Sequence, residues 1–346
     1  LDTGEVIDPF GGREDLAKKT VRTVGDPFRR FDEDGLRPVR AIRFSATLGF
    51  GIEKNTLAAI PKGLEKTRLV SVERFRDEFT KMLAADTPST ALKLLEETGV
   101  LALLIPELTA CRGITQQDIR GYHRFDVLDH LFFACDGAPR EKLTVRLAAL
   151  FHDVGKPAVR AVSERTGGDG AVQPVITFYN HEKVSAELCA KILTRLRFPN
   201  HLADAVSHLV AEHMFFYEPS WTDAAVRRFV RRVTPEALED IFDLRRADTY
   251  GMSGVAPSLQ TGPWVANLLD LKERAAIVLS EKAVLDLKSL AVSGNDLVAA
   301  GIPAGKVLGA ILRELLETVV DDPGENTREH LLGIAKNIYK KYEGSQ

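Results

Sequence analysis

Apolar positions recur every three or four residues over most of the chain from about Asp34 onward, the spacing that turns one face of an α-helix toward a core. This periodicity predicts helices over residues 36–48, 71–84, 90–98, 142–152, 181–196, 201–213, 221–233 and 235–248. Several open on a capping residue with an acid in the first turn, as Ser71 with Glu73 and Thr234 with Glu236 do. Strict alternation is scarce. The clearest extended stretch is residues 171–179, which follows the glycine-rich segment 165–170, suited to a hairpin or surface loop. Residues 1–30 are rich in Gly, Pro and charge. Breaks near residues 108–122 and 253–263 divide the chain into three segments, about 1–110, 111–260 and 261–346. The expected fold class is all-α, predominantly helical, with a central helical bundle that includes a short hairpin and with a helical tail.

Composition changes this picture little. At 346 residues and 45% hydrophobic content the chain can bury more than one core. Its net charge is −3, so a polyanion would be met by local clusters of Arg and Lys and not by a basic whole. Cys111, Cys135 and Cys189 are widely spaced and odd in number, which points to reduced thiols and a cytoplasmic setting. No apolar run reaches about 18 residues and no basic-then-apolar segment opens the chain, so neither a membrane partner nor a signal peptide is expected.

The chemistry concentrates in the middle segment. Seven of the eight histidines lie between positions 123 and 213. Among them, Phe151-His152-Asp153-Val154-Gly155-Lys156-Pro157 sets an imidazole beside a carboxylate at the end of an apolar helix. Neighbouring positions on one helix cannot surround an ion, so a metal would need donors from other elements. His130, His181, His213 and Asp248 lie on separate ones. For His123, His201, His208 and His330 a structural role is the simpler reading.

The order His, His-Asp, His, His, Asp, continued by Gly-Lys-Pro, resembles the HD superfamily of metal-dependent phosphohydrolases. The resemblance implies that His130, His152, Asp153 and Asp248 hold one divalent metal, with His181 and His213 lining the cleft or completing a second site. It also implies catalytic roles for His152 and Asp153, and for Lys156 as a cation that offsets phosphate charge. Donors of this type accept Mg, Mn, Ni, Co, Fe or Zn.

Near the amino terminus, Glu33-Asp34-Gly35-Leu36-Arg37 opens a helix that continues through Arg40 and Arg43. Asp34 and Arg37 can set an acceptor beside a donor fork, able to match the edge of cytosine or adenine. Arg37, Arg40 and Arg43, three apart, suit a triphosphate or an RNA backbone. The whole run from Ile7 through Phe44 resembles the end of the head and the neck of class II tRNA nucleotidyltransferases, whose Glu-Asp-x-x-Arg motif reads the incoming base. Val70–Leu83 and the tail around Ser293-Gly294-Asn295-Asp296 are also similar to that family.

The resemblance implies an enzyme that adds C and A to tRNA 3' ends, with Mg, ATP and CTP, and that carries a phosphohydrolase module. The first residue, Leu1, reads as the end of a strand, and the family's Gly-Gly turn with Asp-x-Asp does not precede it, so an amino-terminal catalytic head is expected in cis or in trans. Poly(A) polymerase of the same family and a stand-alone HD phosphohydrolase are the alternatives. Arg227-Arg228 with Arg231-Arg232, and Arg245-Arg246, are candidate contacts to RNA backbone or a solvated face.

Overall fold

The computed structural model describes residues 6–116, 125–166, 172–281 and 285–343. Leu1, the glycine-rich stretch 167–170 and His123 lie outside the described residues. The chain forms two compact units, Leu1–Met214 with Asp243–Gln260, and Phe215–Phe242 with Thr261–Gln346. Both are built almost wholly of helices. The strands among the described residues are a parallel pair, Thr20–Val21 beside Gly51–Ile52, and an antiparallel hairpin, Ala161–Thr166 against Val172–Thr177.

In the first unit the Leu36–Leu48 helix starts where Asp34 accepts a hydrogen bond from the Leu36 N–H, and stops at Gly49, whose positive φ of 64° ends the helical path. Its buried face (Leu36, Val39, Ile42) packs on Phe75, Phe79 and Met82 of the Val72–Leu83 helix. Each such buried side chain contributes about 1.5–3 kcal/mol. Gly35 touches the Lys66 backbone so closely that any Cβ there would collide with it.

The centre of this unit is the Leu143–Phe151 helix, apolar all round and contacted by the Val72–Leu83, Val127–Gly137, His181–Arg195 and Asn200–Glu212 helices. One polar residue lies in that helix's buried stretch. Arg146 donates to the carbonyls of Leu83 (2.7 Å), Ala85 (2.8 Å) and Ala138 (3.0 Å), tying its helix to the carboxyl end of the Val72–Leu83 helix.

Helix bounds agree with the periodicity to within a residue or two in most cases. Two differences have local causes. The Val127–Gly137 helix, which carries His130, is capped by Asp126 through the Asp129 N–H (2.9 Å) and had no counterpart among the expected elements. The last predicted helix of the middle segment begins with a 3₁₀ turn, Pro235–Ala237, and continues as Leu238–Ser253 past Asp248 and through Gly251, ending before Gly254, whose φ of 72° leaves the helical path. No described helix is long and apolar enough to cross a membrane.

The second unit has its own core, drawn from Leu297, Ile311, Leu315, Val319, Val320 and Leu331 among others. The arginines of the Asp223–Val233 helix are spent inside it. Arg227 donates to the Val320 and Asp321 carbonyls at 2.6 and 2.7 Å, Arg228 pairs with Asp321, and Arg231 reaches Glu317 at 2.6 Å. Arg227 thereby closes the carboxyl end of the Lys306–Asp321 helix, and Arg228 and Arg231 pair with carboxylates on the same helix.

Candidate metal centre

Three helix ends and two helix interiors bring the histidines and aspartates together. His152 follows the last residue of the Leu143–Phe151 helix, and Asp153 lies in the turn beyond it. His181 opens the His181–Arg195 helix after Asn180, which takes the left-handed φ of 60°. His213 closes the Asn200–Glu212 helix. His130 and Asp248 project from helix interiors.

Two glycines permit this closeness. A Cβ on Gly155 would lie 2.6 Å from the Ser185 nitrogen, and one on Gly251 would lie 2.7 Å from the His130 carbonyl oxygen. The turn after Asp153 is thereby pressed onto the His181 helix, where the Gly155 N–H donates to the Ser185 hydroxyl at 2.9 Å.

All six predicted ligands meet, and all are buried. Asp153 stands at the middle and divides its oxygens. Oδ2 faces the Nε2 atoms of His130 and His152 at 3.4 Å each, while Oδ1 faces those of His181 at 3.1 Å and His213 at 3.8 Å. Asp248 Oδ1 lies 3.3 Å from His130 Nε2 and 3.6 Å from His152 Nε2. The donors thus form two groups that share Asp153: His130, His152, Asp153 with Asp248 beside them, and Asp153, His181, His213.

The imidazole orientations follow from backbone contacts. His152 Nδ1 is 2.9 Å from the Ala149 carbonyl, His181 Nδ1 2.8 Å from that of Phe178, and His213 Nδ1 2.7 Å from that of Val210. A carbonyl only accepts, so each Nδ1 carries the hydrogen, and in the neutral ring each Nε2 turns a lone pair toward the others. His130 and His152 set their Nε2 atoms 3.0 Å apart, and His181 and His213 set theirs 3.3 Å apart. Lone pairs and carboxylate oxygens crowded this closely call for a cation, and a second-nitrogen hydrogen bond to a carbonyl is how metal-binding histidines are held.

The same crowding perturbs the protonation of the side chains. Burial opposes charge on His152, yet Asp153 and Asp248 outweigh it and hold the imidazole up at about 10. His213, equally buried and beside that charge, is pushed down to about 3. Burial would raise both carboxyls, but Lys156 and His152 hold Asp153, and hydrogen bonds from His130 and His152 hold Asp248, well below the usual range. By their donor types and their closeness, the two clusters that share Asp153 fit a divalent metal with nitrogen and oxygen ligands.

Lys156 is closer to these ligands than the sequence implies. Its ammonium is 2.6 Å from Asp153 Oδ2 and 2.5 Å from Gln116 Oε1, inside a cavity of about 400 Å³ that exposes His152, Asp153, His181, His213 and Asp248. Arg245, named in the sequence as a candidate RNA contact or solvated side chain, instead approaches Asp248 at 3.2 Å and lines this cavity, and Gln116 was not singled out in the sequence, where it carries no distinguishing spacing. Of the remaining histidines, His330 pairs with Glu325 at 2.8 Å.

The amino-terminal motif lines a separate cavity of about 410 Å³, where Asp34, Arg37 and Arg40 are joined by Arg22 and Arg30. Arg37 is steadied by Glu33 at 2.6 Å and by the Arg30 carbonyl at 2.9 Å. Asp34, besides capping its helix, pairs with Arg74 at 3.1 Å. Arg43 is elsewhere: it pairs with Glu78 at 2.5 Å and lies over the Phe44 ring at 3.7 Å. At about 100° per residue, a position six residues on is rotated by about 120°, so Arg43 leaves the face that Arg37 occupies.

The HD domain family matches residues 120–252, and the family described as "Probable RNA and SrmB- binding site of polymerase A" matches residues 49–112. The crystal structure of Bacillus stearothermophilus CCA-adding enzyme in complex with CTP shares the fold, with a TM-score of 0.67 at 23% identity over 100% of this chain and 72% of that one. The A-adding tRNA nucleotidyltransferase of Deinococcus radiodurans is 34% identical over 322 residues, 90% of this chain and 70% of its own length. The CC-adding tRNA nucleotidyltransferase of Thermus thermophilus is 31% identical over 324 residues, 91% and 68% of the two lengths. With the Glu-Asp-x-x-Arg cavity, the HD ligands and likeness at this level over nine-tenths of its residues, the chain belongs to the class II tRNA nucleotidyltransferase family.

Proposed function

We propose that this chain serves the completion and repair of tRNA 3' ends, with one cavity that selects the incoming nucleotide and another that hydrolyses phosphoesters of nucleotides or RNA ends. The observation that supports the second role is the convergence of four imidazoles and two carboxylates in one buried cluster, of which His152, Asp153, His181, His213 and Asp248 line one cavity. His130, His152, Asp153 and Asp248 would hold one divalent ion, and His181 and His213 would use the other oxygen of Asp153. A bound ion supplies Lewis acidity toward the phosphoryl group. The rest falls to the chain. Buried carboxylates keep the centre anionic and ready for a cation, the carbonyl-bound Nδ1 hydrogens fix the imidazoles, and Lys156 places a positive charge at the cavity wall. Incubation with Mn, Ni, Co, Mg, Fe or Zn in turn should confer phosphomonoester hydrolysis that a chelator removes. Turnover unaffected by chelation would exclude the assignment.

The first role rests on the cluster of Arg22, Arg30, Arg37 and Arg40 beside Asp34, a set of guanidinium forks suited to a triphosphate next to a carboxylate suited to a base edge. The printed names of the relatives include both A-adding and CC-adding enzymes, so CTP and ATP are both proposed partners, together with tRNA. Arg37→Ala should weaken CTP and ATP binding by about 10- to 100-fold, the worth of a charge-assisted hydrogen bond pair. Calorimetric titration with each nucleotide checks this, and unchanged affinity for both would remove Arg37 from the site.

A further inference from the structure

The four arginines of the amino-terminal cavity are not equivalent. Arg22 is paired with Asp15 at 2.8 Å, Arg30 with Glu33 at 2.9 Å, and Arg37 with the same Glu33 at 2.6 Å. Arg40 has no carboxylate partner among the described residues; its exposed guanidinium instead lies over the Phe44 ring, 5.8 Å from the centroid. The two are four apart on the Leu36–Leu48 helix and so neighbours on its surface. A carboxylate cancels the charge of a guanidinium and takes up its N–H donors. A ring attracts the cation and leaves charge and donors for an incoming anion.

The ring is itself fixed from behind the cavity lining. Arg43 rests its guanidinium on the Phe44 ring at 3.7 Å and pairs with Glu78 of the Val72–Leu83 helix at 2.5 Å. Glu78 is buried and is also approached by Lys81 at 3.1 Å. Phe44 and Arg40 line the cavity, whereas Arg43 and Glu78 do not. A buried carboxylate thus holds a planar cation, the cation holds a ring, and the ring meets the one cavity arginine whose charge is not offset.

We propose that Phe44 is a positioning residue of the nucleotide cavity: fixed by Arg43 and Glu78, it holds Arg40 in place to take the phosphate chain. The inference rests on the nucleotide reading above and adds that phosphate affinity and base choice are separable. Phe44 acts on the phosphates alone, through Arg40, and serves CTP and ATP equally.

Calorimetric titration with CTP, ATP and inorganic triphosphate tests this. Arg40→Ala should weaken all three by about 10- to 100-fold, the worth of hydrogen bonds from a charged donor. Phe44→Leu should weaken all three by about 2- to 5-fold, the worth of one exposed cation–π contact, and Phe44→Tyr, which keeps the ring, should restore wild-type affinity. In an Arg40→Ala background Phe44→Leu should have no further effect, because its action runs through that guanidinium. Arg43→Lys keeps the charge but not the flat contact with the ring, so it should match Phe44→Leu and gives a second reading should the Leu variant not fold. Equal loss from Phe44→Leu with and without Arg40, or loss for CTP and ATP with triphosphate unchanged, overturns the positioning role and leaves the cavity a nucleotide site. Failure of the wild-type chain to bind any of the three overturns both readings.

Discussion

Replacing Asp153 with Ala is expected to abolish stoichiometric divalent-metal binding and to lower phosphomonoester turnover well over 100-fold. The expectation follows from its position: it is the one ligand that both donor groups share, with Oδ2 toward His130 and His152 and Oδ1 toward His181 and His213. Loss of a group that merely orients a ligand costs about 10–100-fold in metal affinity or activity, so loss of the shared ligand costs more. The substitution also removes the 2.6 Å partner of the buried Lys156, which leaves a cation facing the place a metal would occupy. His213→Ala is the graded comparison, because it touches the Oδ1 group alone. CTP binding, which belongs to a separate cavity, should be unaltered in both variants. Metal analysis with the purified proteins decides the matter: wild-type metal content in Asp153→Ala would remove it from the ligand set.

Arg146→Met should destabilise the first unit by roughly 3–5 kcal/mol, although Met fills similar space. The buried guanidinium satisfies three carbonyls, and each hydrogen bond from a charged donor is worth about 1.5–3 kcal/mol. Part of that sum is returned, since burial depresses the Arg146 pKa and its desolvation is relieved in the variant. The balance stays unfavourable because the Leu83 and Ala85 carbonyls, at a helix carboxyl end, are left without a donor. For a domain of this size 1 kcal/mol shifts Tm by about 2–4 °C, which puts the fall at about 6–20 °C. Arg146→Lys, with a single ammonium in place of a fork, should fall between. A change in Tm below about 2 °C for Arg146→Met would show that the carbonyls find other donors.

Several features were legible in the residues themselves. The helix of residues 36–48 could be read because a capping Asp34, a 3.6-residue apolar period and a terminal Gly49 agree with one another. The HD ligands could be read because their order carries the resemblance, and the structure brings all six together. The Val127–Gly137 helix was missed although its signal was present in Asp126 and the apolar positions after it, since so short a run adjoins residues with no period of their own.

Other features have no local signature, because each is a relation between segments far apart in sequence. Arg43 is drawn to Glu78 by helix rotation, and Arg227, Arg228 and Arg231 are drawn to the end of the Lys306–Asp321 helix, the first by the Val320 and Asp321 carbonyls and the other two by the Asp321 and Glu317 carboxylates, groups that only tertiary packing presents. Arg112 gathers Glu96, Asp126 and Asp129 in one fork and so braces the start of the His130 helix, a role invisible at the level of spacing. The amino-acid order by itself determined which residues bear the chemistry and which helices carry them, through period, caps and motif. Tertiary structure alone decided that Asp153 divides its two oxygens between two pairs of imidazoles, because only close packing at Gly155 and Gly251 sets helices from distant parts of the chain within ligand distance of one carboxylate.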